Sequence, residues 1–188
     1  PQSIKHLLGT MMACLAYHTI EIDSVIGKEI PRIDCSNDAA VALEKAVVRI
    51  SSELFRIVLT LANGNYSGFP LGQKIFCYTD CSHPDGRRFC ILSALNKQVV
   101  LQAVTLLFSS KQTEIDELVL SAIEELSVML AIHFVRNYQN GDFFHVDCVK
   151  ILDEKQLAKT LPSHEPLCSL LFDSVHGAFL HRVWDFPR

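Results

Sequence analysis

The sequence has no uninterrupted apolar run long enough to cross a bilayer. A membrane-spanning helix needs about 18 or more apolar residues in succession. The most apolar window, Leu118–Val135, is interrupted by Ser121, Glu124, Glu125, Ser127 and His133. The apolar stretch Ile4–Ile20 lacks the basic leader and the cleavage site of a signal peptide. We therefore predict no membrane association.

Basic clusters and phosphate loops are also missing. No more than two Lys or Arg residues are adjacent, at Arg87-Arg88, and the formal net charge is -4. A nucleic-acid surface normally needs a basic stripe, so the sequence argues against a nucleic-acid partner. Gly64, Gly68 and Gly72 recur at equal spacing, but no Lys-Ser/Thr pair follows them, so a nucleotide loop is not predicted.

The seven cysteines are too few and too scattered for a secreted disulfide scaffold. Their odd number and apolar surroundings predict a reducing compartment, which means an intracellular protein of the cytoplasm or nucleus. Because the chain begins at Pro1 without Met, we expect either one domain over residues 1–188 or a piece of a longer protein.

What the sequence does contain is apolar helical patterning. Hydrophobic residues make up 49% of the chain and charged residues 20%, which excludes general disorder. The segments Asn96–Phe108 and Thr113–Asn137 predict two helices joined by the short connector Ser109–Gln112. A third helix is predicted over Asp38–Leu61, where apolar residues recur every three or four positions before Asn63-Gly64.

The rest of the chain is predicted to be helical as well. The further predicted helices are Ser3–His18, Phe143–Leu152, Glu154–Leu161 and Pro166–Val183. The segment Ile75–Leu95 has two alternatives, a β-hairpin around Pro84-Asp85-Gly86 or a helix over Asp85–Leu95. Because helices are predicted on both sides, we favour the helix.

These elements predict an all-α fold of stacked antiparallel helices. The portion Phe89–Phe108 reads as a short helix, a tight turn at Asn96-Lys97 and a second helix, and it resembles one unit of an armadillo or HEAT-type repeat. The resemblance extends loosely from Asp38 onward and implies a helical array. Since no fixed repeat period is found, a compact multi-helix bundle remains the alternative.

One cluster of metal-ligand residue types stands out. Cys77, Cys81, His83 and Cys90 place three thiols and an imidazole within fourteen residues, and zinc prefers these ligands. Their spacing matches no common zinc finger. We therefore expect no cofactor, with a zinc-stabilised loop over residues 77–90 as the alternative.

Aromatic residues beside turn signals are candidate anchors for a protein partner. They are Tyr66, Phe69, Phe143, Phe144, Trp184 and Phe186. The competing interpretation is that these side chains close the core.

The preferred functional hypothesis is a non-catalytic scaffold for protein interaction or assembly. A groove between stacked helices would receive a peptide or helix from a protein partner, and its apolar composition also predicts homo-oligomerisation. A regulatory or viral accessory protein with the zinc loop is one alternative. An enzyme with a dispersed site is another, and a deep cavity lined by His133, His145, Cys148 and Glu125 would indicate it.

Overall fold

A six-stranded antiparallel sheet organises the chain, with helices packed against it. The computed structural model describes residues 38–55, 59–63, 69, 74–138 and 144–186. The prediction of an all-α helical repeat or bundle is therefore wrong.

Along the chain the order of the elements is α-β-β-β-α-α-β-α-β-β. The helices are α1 (Asp38–Phe55), α2 (Lys97–Phe108), α3 (Glu117–Tyr138) and α4 (Glu154–Thr160). The strands are β1 (Thr60–Asn63), β2 (Lys74–Ser82), β3 (Arg88–Asn96), β4 (His145–Leu152), β5 (Cys168–Ser174) and β6 (Gly177–Phe186). The strand order in the sheet is β1-β5-β6-β3-β2-β4, and each neighbouring pair is antiparallel.

The segment Ile75–Leu95 forms the β-hairpin, and the helix favoured from sequence is wrong. Strands β2 and β3 pair without a register shift from Lys74↔Asn96 to Ser82↔Arg88. In the turn, Gly86 has φ +92 and its amide donates to the carbonyl of His83 at 2.9 Å. A residue with a Cβ rarely adopts this conformation, so glycine at this position fits a hairpin better than a helix.

The helices predicted over Phe143–Leu152 and Pro166–Val183 are also wrong. The described part of the first segment contains β4, and the second contains β5, the turn before Gly177 and most of β6. Within β5 and within β6, residues that are consecutive in the sequence are buried on opposite faces of the sheet. This gives continuous apolar runs that lack the polar alternation of a half-exposed strand.

The other helix predictions are largely confirmed, with shifted ends. Helix α2 begins after Asn96, whose side chain accepts a hydrogen bond from the amide of Gln98. Helix α3 begins at Glu117 and not at Thr113, because the Asp116 carboxylate accepts the Val119 amide at 2.9 Å. Helix α4 has a capping box formed by Asp153 and Gln156. The segment Ser3–His18 lies outside the described residues.

Both faces of the sheet are covered. Helices α1, α2 and α3 pack on one face, where the buried strand residues include Cys77, Ile91, Phe172, Phe179 and Val183. The opposite face carries a second buried cluster with Leu157 of α4, and its strand members include Tyr78, Cys90, Leu92, Leu180 and Trp184. Alternate residues of the central strands therefore pack into two separate cores, one on each face of the sheet.

Helix α3 is long and apolar enough to cross a membrane, judged by length and composition within the described ranges. A core helix has the same properties. Here Ile123, Ala131 and Phe134 belong to its buried face, and α3 packs along α1. The absence of membrane association stays a prediction.

Removing a side chain from the second cluster tests this two-sided core. Leu180 is 0% exposed and Leu106 is 41% exposed. We expect Leu180→Ala to lower the free energy of unfolding by about 2–5 kcal/mol, because it leaves a cavity. Chemical denaturation measures this change.

Leu106→Ala is the matched control, with an expected change within about 0.5 kcal/mol. Equal losses in the two variants would contradict a core on this face of the sheet.

Candidate functional site

A group of polar side chains lies on the helix pair α1–α3, on positions outside its buried faces. They are Lys45, Arg49 and Glu53 on α1, and Glu125, His133 and Arg136 on α3. We call this set the outer helix surface. Its members are half-exposed or exposed, whereas the buried residues of both helices face the sheet and each other.

Charges on α1 and α3 meet around His133. On α1, Arg49 Nε lies 2.9 Å from Glu53 Oε1, one helical turn away. Burial lowers the pKa of His133, and the positive charges of Arg49 and Arg136 lower it further, while Glu53 acts in the opposite direction. The ring is therefore neutral near pH 7 and can accept a hydrogen bond or a proton.

Glu125 is a carboxylate without an ion pair among the described residues. It is half-exposed, and the helical period places Ile132 and Arg136 on the same side of α3. Its oxygens are thus available to accept hydrogen bonds from a water molecule or from a partner. The same two helices also carry apolar side chains that are not fully buried, namely Val41, Val48 and Val128.

Sequence comparison finds no relative for this chain. No family model matches it, and no curated protein matches it either.

Structural comparison finds clear neighbours at low sequence identity. A CheC-like superfamily protein from Shewanella sp. PV-4 has a TM-score of 0.64 at 12% identity, with 80% of this chain and 98% of that chain covered. The chemotaxis protein CheX from Vibrio vulnificus has a TM-score of 0.63 at 10% identity, with 79% and 99% covered. The chain has the fold of CheC- and CheX-like proteins.

A third neighbour was crystallised with a partner. The CheX–CheY–BeF3–Mg2+ complex from Borrelia burgdorferi gives a TM-score of 0.60 at 11% identity, with 83% of this chain and 100% of that chain covered.

The CheC- and CheX-like fold overturns two expectations. The resemblance to an armadillo or HEAT repeat is wrong, because the chain shares a mixed α/β fold with these proteins. The prediction that the chain is not an enzyme is wrong too. That prediction follows from the lack of a recognisable catalytic motif in the sequence, whereas the structural neighbours include a CheX crystallised with CheY, BeF3 and Mg2+.

The structure does not bring the four candidate zinc ligands together. Cys77 and Cys81 belong to the helix-side clusters, whereas Cys90 belongs to the cluster on the opposite face. His83 lies in the β2–β3 turn, where its ring is 2.7 Å from Asp85. Within the described ranges, no group of three or more ligand residues could hold a metal ion. Zinc binding itself stays an untested alternative.

The three thiols are also poor metal ligands and nucleophiles, because they are buried and protonated. Burial raises the pKa of Cys77 to about 11, of Cys81 to about 12 and of Cys90 to about 11. Cys77 Sγ accepts a hydrogen bond from Ser127 Oγ at 3.0 Å. These thiols are protonated at neutral pH and fill the core.

The candidate aromatic anchors that the structure describes do not form one surface. Trp184 is 3% exposed, and its Nε1 donates to the carbonyl of His164 at 3.1 Å. Phe69 and Phe186 pack against the same cluster as Trp184, whereas Phe144 packs against the helix-side core beside Phe89. Tyr66 and Phe143 lie outside the described residues.

The hypothesis of a dispersed enzyme site requires one cavity lined by several of the four expected residues. A cavity does lie between the helices and the sheet, but neither His133 nor Glu125 of α3 lines it, and neither does His145 or Cys148 of β4. His133 and Glu125 belong to the outer helix surface instead.

Sequence reasoning missed the cluster around His133. The spacing of Arg49 and Glu53 indicates an ion pair on α1, but no pattern in the sequence shows that α3 places His133 beside it. That proximity depends on how the two helices pack.

Replacing Arg49 tests the charges around His133. We expect Arg49→Gln to raise the pKa of His133, because one of the positive charges that disfavour the protonated ring is removed. An NMR titration of the ring measures the pKa. Lys45→Gln, on the same helix, is the control and should leave it nearly unchanged. An unaltered His133 titration in Arg49→Gln would show that the two residues are not close.

Proposed function

We propose that this protein binds a CheY-like partner in its phosphoryl-bearing state and promotes loss of the phosphoryl group. The observation that carries the proposal is the shared fold with CheX, including a CheX that was crystallised with CheY, BeF3 and Mg2+. Beryllium fluoride mimics a phosphoryl group, and Mg2+ neutralises phosphoryl oxygens.

The outer helix surface supports binding of such a partner. Lys45 and Arg136 are exposed cations, and cations favour contact with a phosphoryl group and with the acidic residues that hold Mg2+. Val41, which is 37% exposed, adds apolar contact area. Mixed apolar and charged surfaces of this kind are typical of non-obligate protein interfaces.

Glu125 supports the chemical step. Its unpaired carboxylate can orient a water molecule for attack on phosphorus. In that step a P–O bond forms to the water, and the bond between phosphorus and the partner's side-chain oxygen breaks. The water's proton passes through Glu125 to solvent, and inorganic phosphate leaves. The Mg2+ ion belongs to the phosphorylated partner.

A protein with this function would work in the bacterial cytoplasm. The comparisons give the nuclear alternative no support. Homo-oligomerisation and the absence of a nucleic-acid partner stay predictions.

Phosphate release from phosphorylated CheY tests the proposal. CheY is loaded with a small phosphodonor, and release is followed with and without this protein. We expect acceleration by the wild type and a loss of about 100-fold with Glu125→Gln, because the general base is removed. Binding to CheY with BeF3 and Mg2+, measured by calorimetry, should persist in this variant.

Glu165→Gln is the matched control, since Glu165 is an exposed carboxylate on a loop outside the outer helix surface. Its activity should equal that of the wild type. No binding to CheY with BeF3 and Mg2+ would overturn the proposed partner. Binding without acceleration would overturn the chemical step.

A further inference from the structure

A cavity of about 100 Å³ lies between the three helices α1–α3 and the centre of the sheet. Its walls are mostly apolar and include Val47, Ile50, Phe55, Ile123, Leu130 and Phe179. The outer helix surface lies on the other side of these helices, so the cavity is a separate feature.

The floor of the cavity is polar. Ser93 of β3 and His181 of β6 are partners across the two central strands, and Ser93 Oγ lies 2.8 Å from His181 Nδ1. Both line the cavity, and they are 3% and 5% exposed. Burial lowers the pKa of His181 to about 3, so its ring is neutral at physiological pH.

The second ring nitrogen of His181 makes no hydrogen bond to a described residue, and it is not among the fully enclosed unpaired polar atoms, so it is accessible from the cavity. A polar atom on a mostly apolar wall needs water or a bound molecule as its hydrogen-bond partner. The apolar walls alone would favour a leucine or phenylalanine at this position, which needs no such partner. The imidazole beside an unfilled volume therefore points to a bound molecule.

We propose that the cavity binds a small uncharged molecule with an apolar body and one group that hydrogen-bonds to the His181 ring. No Asp, Glu, Lys or Arg is found among the described lining residues, so an ion would be buried without compensation. The volume is smaller than that of an apolar cavity of about 150 Å³ that binds benzene, so the bound molecule should be no larger than a single ring. The bound molecule would hold together α1, α2, α3 and the strands β3 and β6.

Three probes of similar shape test the proposal on the full chain: phenol, benzene and benzoate. We expect phenol to bind about tenfold more tightly than benzene, because it adds one buried hydrogen bond. Benzoate should bind more weakly than either probe. NMR titration measures the affinities, and the His181 ring resonances should move with phenol.

Two variants locate the binding. Ala103→Leu adds side-chain volume at the cavity wall and should abolish binding of phenol and benzene, whereas Ala158→Leu on exposed α4 should not. His181→Leu should remove the preference for phenol over benzene, and His176→Leu in the β5–β6 turn is its control.

Absence of phenol binding, full binding in Ala103→Leu, or tighter binding of benzoate would each overturn the proposal. If His181→Leu does not fold, the response of the wild-type His181 ring resonances to phenol tests the hydrogen bond instead. If the His181 ring resonances do not shift when phenol is added, the assigned hydrogen bond would be overturned.

Discussion

The structure depends on burial of both faces of the central strands. In β3, Ile91 faces the helix layer and its neighbour Leu92 faces the opposite core, and both are nearly inaccessible to water. Because backbone polar groups in such strands are satisfied by the ladder, side chains of both faces can be apolar. This arrangement fixes β3 and β6 at the centre of the sheet and leaves α1, α2 and α3 to cover one side.

The helix layer has two functional consequences. Helices α1 and α3 bury one face and leave polar residues on the outer helix surface, where partial burial, assisted by the charges of Arg49 and Arg136, lowers the pKa of His133. Between the helices and the sheet, a cavity remains next to Ser93 and His181. The same packing thus produces both the outer surface that we propose as a site for a protein partner and the inner cavity that we propose as a site for a small molecule.

Part of this architecture could be predicted from the sequence. Helices α1, α2 and α3 have apolar spacing that is visible locally, and α2, α3 and α4 are preceded by the capping residues Asn96, Asp116 and Asp153. Strands β4, β5 and β6 could not be separated from helices, because runs such as Leu170–Phe172 are apolar at consecutive positions. Of the candidate site, Glu125 and His133 were considered, but for a cavity that they do not line.

The sequence by itself indicated the apolar character of the chain, the helix at its centre and the buried position of most described cysteines. These are local properties of composition and spacing. Only the tertiary structure decided that the hairpin β2–β3 pairs with β4 and β6, that Cys90 faces away from Cys77, and that His181 meets Ser93. The physical reason is that strand pairing joins residues far apart in the chain, as with Ser93 and His181, and no short-range pattern encodes such pairs.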